Sequence, residues 1–205
     1  EDTVNYNNAS ASVTINVYTC HTLTFGHTGQ GTDPAADPVQ SSGCPAEKYR
    51  SGETIQLIGA TPDIGWHIAN WTGTANDAST ANTNSLTMPA NDHNVSVNYV
   101  QDEYTLDVIS DHGTVTQIPL QATYHYNDVV TLSLVVDPGW TFTGWTPSLT
   151  DNNVTITGNT TVTANFVPQT LTLTYTAGAH GSLTGDTPQT VNYGESGSAV
   201  TAVAD

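Results

Sequence analysis

Gly65-Trp66-His67-Ile68-Ala69-Asn70-Trp71-Thr72 decides the fold, because it returns as Gly139-Trp140-Thr141-Phe142-Thr143-Gly144-Trp145-Thr146. Each stretch reads Gly-Trp-x-apolar-x-x-Trp-Thr, and together they hold all 4 Trp of the 205-residue chain. Indoles bury large areas and seldom recur at fixed spacing by chance, so the recurrence predicts duplicated modules, each with its own small core. The two Trp of a copy are expected on either side of a hairpin. Their odd spacing would put them on opposite faces of one continuous strand, and an intervening turn or bulge restores a shared face. Trp66, Trp71, Trp140 and Trp145 are therefore candidate core residues, with at least one per copy filling the interior.

Working outward, the flanks of the two stretches follow the same order. The first copy, residues 19–101, opens on Leu23 and Phe25, then makes a long Gly/Pro/Asp-rich excursion from Gly26 to Pro45. Ile55 and Leu57 alternate with polar residues, Pro62-Asp63 turns into the Trp stretch, and Val95-Ser96-Val97-Asn98-Tyr99 closes the unit. Such alternation is the mark of strands with one buried face. The second copy, residues 102–168, is more compact. It opens on Leu106 and Val108, turns at His112-Gly113, alternates through Val130, Leu132 and Leu134, and closes with Val162 to Phe166. Tyr99 and Phe166 hold matching closing positions and join the candidate core. A third copy starts at Leu171, passes His180-Gly181 and Tyr193-Gly194-Glu195, and reaches Asp205, where the next Gly-Trp is expected. Residues 169–205 read as an incomplete module: mobile, truncated from a longer parent, or completed by another chain. Ahead of the first copy, Ser12 to Tyr18 alternates like a strand, so residues 1–18 read as a terminal strand of an upstream immunoglobulin-like domain or as the start of the next module. No segment has a helical period, and the Ala75–Asn84 stretch reads as a loop. The expected fold is all-β: tandem small modules, β-grasp-like or sandwich-like, joined by short linkers into an extended rod.

Composition narrows the function. With 2 basic residues against 19 acidic, the formal charge is -17, which repels phosphate backbones and anionic membrane faces. Nucleic-acid binding and membrane insertion are not expected. Charged residues are only 10% of the chain, and Thr, Asn and Ser supply the polar surface, as in secreted bacterial β-proteins. Glu1 opens the chain without a signal-like segment, so it is expected to come from a longer, processed precursor. A bridge between Cys20 and Cys44 would contribute about 3–4 kcal/mol in the chain-entropy model and suits an extracellular site. Two unpaired buried thiols are the alternative. A metal site on these cysteines with His21 and His27 lacks the usual ligand spacing.

The order of signals resembles the divergent internalin-type B-repeat of bacterial surface proteins. In the first copy the resemblance rests on Tyr49, Gly65-Trp66, Trp71-Thr72-Gly73, Leu86-Thr87-Met88-Pro89 and Val95 to Tyr99. In the second it rests on Tyr126, Gly139-Trp140, Gly144-Trp145-Thr146 and Val162 to Phe166. The second copy departs from the pattern: it lacks Met-Pro, and Pro147 stands where Gly is expected. It also lacks the cysteine-bearing insertion, having only a short turn around His112. The resemblance implies compact β-grasp-like modules in secreted or wall-attached proteins, and no catalytic residues.

Nothing in the residues points to an enzyme. Asp33, Asp37, Asp63, Asp77, Asp92, Asp111, Asp137 and Asp151 lie on turns, where Asp is structurally favoured. The 7 His share no metal-ligand spacing, and His112 and His180 each precede Gly at a turn. Asp102-Glu103, between the first two copies, reads as a solvated acidic linker or as part of a Ca2+ site that stiffens the junction. Asn8, Asn70, Asn94, Asn153 and Asn159 head Asn-x-Ser/Thr triplets no more often than chance allows. The expected role is a spacer or adhesive repeat segment of a large extracellular bacterial surface protein or filament. Its partners are then neighbouring modules or further copies of itself. Two alternatives stand beside it: a carbohydrate-binding module that stacks glycan on exposed Trp or Tyr, and a fibre subunit assembled by strand exchange.

Overall fold

The structure, a computed structural model, describes residues 17–205. It is all-β, with no helix among the described residues. Residues 12–16 of the strand expected near the N-terminus lie outside the described part, and Val17 and Tyr18 are not in a strand. The chain divides into two compact units between Gln101 and Asp102.

The first copy contains β1 (Cys20–Thr28), β2 (Ala35–Asp37), β3 (Lys48–Arg50), β4 (Thr54–Ile58), β5 (Trp66–Thr72), β6 (Asn84–Thr87) and β7 (His93–Gln101). These form a mixed sheet in the order β3-β1-β7-β5 and an antiparallel sheet in the order β2-β4-β6. The closing strand β7 is bonded on both edges, parallel to β1 and antiparallel to β5. Alternation along β4 and β7 turns Ile55, Leu57, Val95, Val97 and Tyr99 inward, where they join Leu23, Tyr49, Ile68, Trp71, Leu86 and Met88 in one core.

The second copy repeats this plan with β8 (Leu106–Ile109), β9 (Gly113–Ile118), β10 (Val129–Val136), β11 (Trp140–Thr146), β12 (Asn153–Thr155) and β13 (Thr160–Pro168). Its sheets run β11-β13-β8 and β12-β10-β9, again with a parallel pair between the first and last strands. A single bridge between Tyr104 and Tyr124 stands in for the β1–β3 ladder. A separate core gathers Leu106, Tyr124, Val130, Leu132, Trp145, Val154, Ile156, Val162 and Ala164. The two copies therefore share one topology, and their buried indoles, Trp71 and Trp145, lie in different cores.

The structure differs from three of these expectations and explains a fourth feature. The Trp pair does not span a hairpin: Trp66 and Trp71 lie on β5, and Trp140 and Trp145 lie on β11. A bulge in each strand shifts the register between Ile68 and Asn70 and between Phe142 and Gly144. The one extra residue, Ala69 or Thr143, returns both indoles to the same face. Secondly, the counterpart of Tyr49 is Tyr124 and not Tyr126. Tyr49 and Tyr124 are both fully buried and stand at the same distance in sequence ahead of the buried Ile55 and Val130. Thirdly, the turn that matches His112-Gly113 is Gln30-Gly31: the Asp63 amide donates to the Gln30 carbonyl as the Asp137 amide donates to that of His112. The extra residues of the first copy fall later, between Asp37 and Lys48, and carry Cys44. Finally, the missing Met-Pro costs no core position, since Ile156 lies where Met88 does: their carbonyls accept from the equivalent amides of Asn127 and Gly52.

The third copy begins as the others do. β14 (Thr170–Leu173) pairs with β16 (Gln189–Asn192), and β15 (Gly181–Thr184) pairs with β17 (Thr201–Ala204), giving two two-stranded sheets within the second unit. The Asp205 amide donates to the His180 carbonyl, the bond that Asp137 makes with His112.

Each core rests on one indole more than on any other side chain. Trp71 is 1% exposed and donates its Nε1–H to the Ala81 carbonyl at 3.1 Å; Trp145 is 9% exposed and donates to Asn152 Oδ1 at 2.8 Å. A buried indole with its N–H satisfied contributes its full apolar area without a desolvation penalty. Trp71→Ala is expected to destabilise the first copy by about 3–5 kcal/mol. The Trp145 indole resonance should keep its unfolding midpoint in a denaturant titration followed by NMR, and Trp145→Ala should give the reverse. Equal loss at both indoles in either variant would show one cooperative core.

Candidate functional site

The most fully built feature outside the cores is the passage from the second copy to the third, and it begins with composition. Pro168 ends β13 because it has no amide to continue a ladder. Gln169 follows as the single residue between β13 and β14. Its amide donates to the Gly139 carbonyl at 2.8 Å, its side-chain amide to the Trp140 carbonyl at 3.2 Å, and its own carbonyl accepts from the Tyr193 amide at 2.8 Å. One linker residue is thus bonded to copies on both sides. Gly139 has φ +82°, and a Cβ there would collide with the Tyr193 ring. Only glycine meets both demands.

Beside this junction, aromatic rings run inward from the surface. The His112 ring stacks on Trp140 with centroids 3.4 Å apart and planes 7° from parallel, and meets Phe166 edge-on at 6.0 Å. Phe142 makes edge contacts with Phe166 and with the buried Trp145. Trp140 is half-buried and lies outside the core cluster, so its place is the surface end of this series and not the interior. Trp66, at the same position in the first copy, is half-buried but packs against its core. Tyr99, fully buried, donates its hydroxyl to the Thr32 carbonyl at 2.7 Å, and burial raises its pKa. Phe166, which has no hydroxyl, is half-buried.

Several other candidate residues have local structural partners. Cys20 and Cys44 form a disulfide that ties the start of β1 to the extra segment before β3. The Asp92 carboxylate accepts from the Thr22 amide at 2.7 Å, which lowers its pKa, and Asn159 does the same for Thr105 at 2.9 Å. Asp77 is lowered by the Thr74 amide and hydroxyl. The His93 ring bonds the Gly73 carbonyl, and the His125 ring bonds that of Asp102. The Tyr104 hydroxyl donates to the Asp102 carboxylate at 3.2 Å. Among the described residues, no group of three His, Cys, Asp or Glu is placed to hold a metal ion. Sequence reasoning missed Gln169, Gly139 and Tyr193 as a set. The only signal was a glycine directly before each first Trp of a pair.

A family model described as the divergent InlB B-repeat domain matches residues 36–103 and, in tandem, residues 104–170. The chain belongs to this family. No curated protein matches it. The first match starts inside β2 and leaves out β1, which in space is an integral strand of that B-repeat. The second match ends just past Gln169, so it takes in the linker residue that fastens one B-repeat to the next copy.

Two outcomes follow. Gly139→Ala places a side chain in the left-handed region and against Tyr193, and is expected to weaken the junction by more than about 1 kcal/mol. Hydrogen exchange at the Tyr193 and Gln169 amides should quicken while the Trp145 indole stays protected. Unchanged exchange would show that the junction does not depend on this glycine.

The pH dependence has a definite sign. The folded pKa of Asp92 and of Asp77 lies below the unfolded value of about 3.9. Their stabilisation is therefore present above that pH and is lost as pH falls through the folded value. Asp92→Asn keeps the acceptor, as Asn159 does in the second copy. The first copy should then resist acid better than wild type, read at the Trp71 indole. An unaltered acid midpoint would remove Asp92 from the account.

Proposed function

We propose that this chain is a spacer segment of a large extracellular bacterial surface protein, in which B-repeats set a fixed connection between more distant parts. The observation that carries the reading is Gln169, one residue bonded to the copies on both sides of it. A linker held in this way transmits position from one module to the next, which a flexible tether does not. Supporting it, the first two copies each have their own core and the family is that of bacterial surface repeats. The Cys20–Cys44 bridge suits an oxidising compartment. An acidic, Lys-poor exterior disfavours lateral association of neighbouring chains. No catalytic step and no cofactor enters this reading.

Glycan stacking is the second reading, and the half-buried Trp140 is the observation that favours it. Against it, the indole face beside His112 is already covered, and Trp71 and Trp145 are buried. Titration of the chain with a broad panel of soluble polysaccharides, followed by Trp fluorescence, separates the two. The spacer reading expects no saturable quenching. Saturable quenching that disappears in Trp140→Ala, with the Trp145 core intact by NMR, would replace it with a carbohydrate-binding module.

A further inference from the structure

We propose that each B-repeat is a load-bearing shear clamp, built from its own first and last strands. In the second copy the chain comes in at the foot of β8 and leaves at the head of β13. These strands are parallel neighbours, paired from Leu106↔Thr160 to Ile109↔Thr163. Tension along the chain pulls one strand past the other along their common axis. The ladder bonds lie across that axis, so all of them carry load and must give way together. Antiparallel neighbours joined by a turn would instead open one bond at a time, because both pulled ends leave from the same end of the pair.

The first copy has the same clamp in a longer form. β1 and β7 pair from Leu23↔His93 to Thr28↔Asn98, six pairs against four in the second copy. Side chains stitch the same seam. The Thr24 hydroxyl lies within hydrogen-bonding reach of the His93 carbonyl at 3.3 Å and of Asn94 Oδ1 at 3.0 Å, and the Thr28 hydroxyl donates to Asn98 Oδ1. At the loaded end the Thr22 amide bonds Asp92, and in the second copy the Thr105 amide bonds Asn159 while the Thr160 amide returns a bond to the Thr105 carbonyl. These local ties sit where force arrives. The disulfide adds a covalent branch at Cys20, the first residue of β1, and keeps the 24 residues to Cys44 from extending. The second copy is accordingly the weaker clamp.

Such a clamp serves any parent that passes tension along the chain. It stands apart from the spacer reading, whose test is ligand binding and not force. Forced unfolding is governed by the rate of crossing the unfolding barrier, so pulling at a constant loading rate is the direct measurement. The oxidised chain is held by its two ends in an optical trap. Residues 170–205, with only two-stranded sheets, are expected to lengthen first, then the second copy, then the first. Reduction identifies the last event: its contour gain should rise by about 7–8 nm, the reach of the released loop less the span already bridged, while the event for the second copy is unchanged.

Pulling direction then decides the mechanism. With handles on Asp107→Cys and Thr161→Cys, exposed register partners in the second copy, the β8–β13 pair opens bond by bond. Rupture should come at several-fold lower force than by end pulling at the same loading rate. Where that variant fails to fold, Gly26→Cys with Ser96→Cys gives the same comparison in the first copy; they are register partners, and a Cβ at Gly26 has open space. Equal forces in the two directions, or a first copy that yields before the second, would overturn the proposal.

Discussion

Each B-repeat depends on its closing strand being bonded along both edges. β7 holds β1 on one side and β5 on the other, and β13 holds β8 and β11. Inward residues of the closing strand, Val95, Val97 and Tyr99 or Val162, Ala164 and Phe166, carry the pattern that packs against the second sheet. The neighbouring strand supplies the indole. Without the closing strand, the opening strand and the Trp strand have no common partner, and neither sheet has a face to cover. The duplication of the Trp stretch is the visible sign of this unit, but the pairing that unites it runs through the strand that comes last.

Much of this was legible in the residues. Period-two alternation marked β4, β7, β10 and β13 because each has one face in a core and one in water, and recurrence of the Trp stretch gave the copy number. The bulge was harder. A spacing of five between indoles suits a turn as well as a one-residue irregularity, and only the ladder register at Ile68/Asn70 and Phe142/Gly144 distinguishes them. Tyr124 and Tyr126 both precede β10, and residue type alone does not separate them. The counterpart of Tyr49 is set by spacing to the first core valine or isoleucine, a weaker mark to the eye. The cysteine-bearing insertion is hard to place from the residues for a similar reason: Gln30-Gly31 lacks the histidine that marks the matching turns, His112-Gly113 and His180-Gly181.

The junction was beyond reach. Gln169 is a polar residue in a short linker, and nothing local distinguishes it from a solvated one. Its three partners come from the turn before β11, from the first residue of β11 and from the turn after β16, and such bonds exist only once both copies are folded. Gly139 also serves two neighbours at once, as the positive-φ residue of the Trp turn and as the floor under Tyr193. The same economy appears at Asp92 and Asn159, different residues in one post. What the two side chains share is a hydrogen-bond acceptor for the amide at the start of the copy, Thr22 or Thr105.

Joining the first strand to the last also orders events in time. Thr24 and Asn94 stand 70 residues apart, and Thr105 and Asn159 stand 54 apart, so the opening strand of each copy has no parallel partner until almost the whole copy has emerged. Loop closure over such separations makes the final pairing late and slow compared with the hairpin-like contacts that precede it. As the polypeptide emerges from its N-terminal end, the first copy therefore has all its strands before the second does, and the copies mature in succession along the chain.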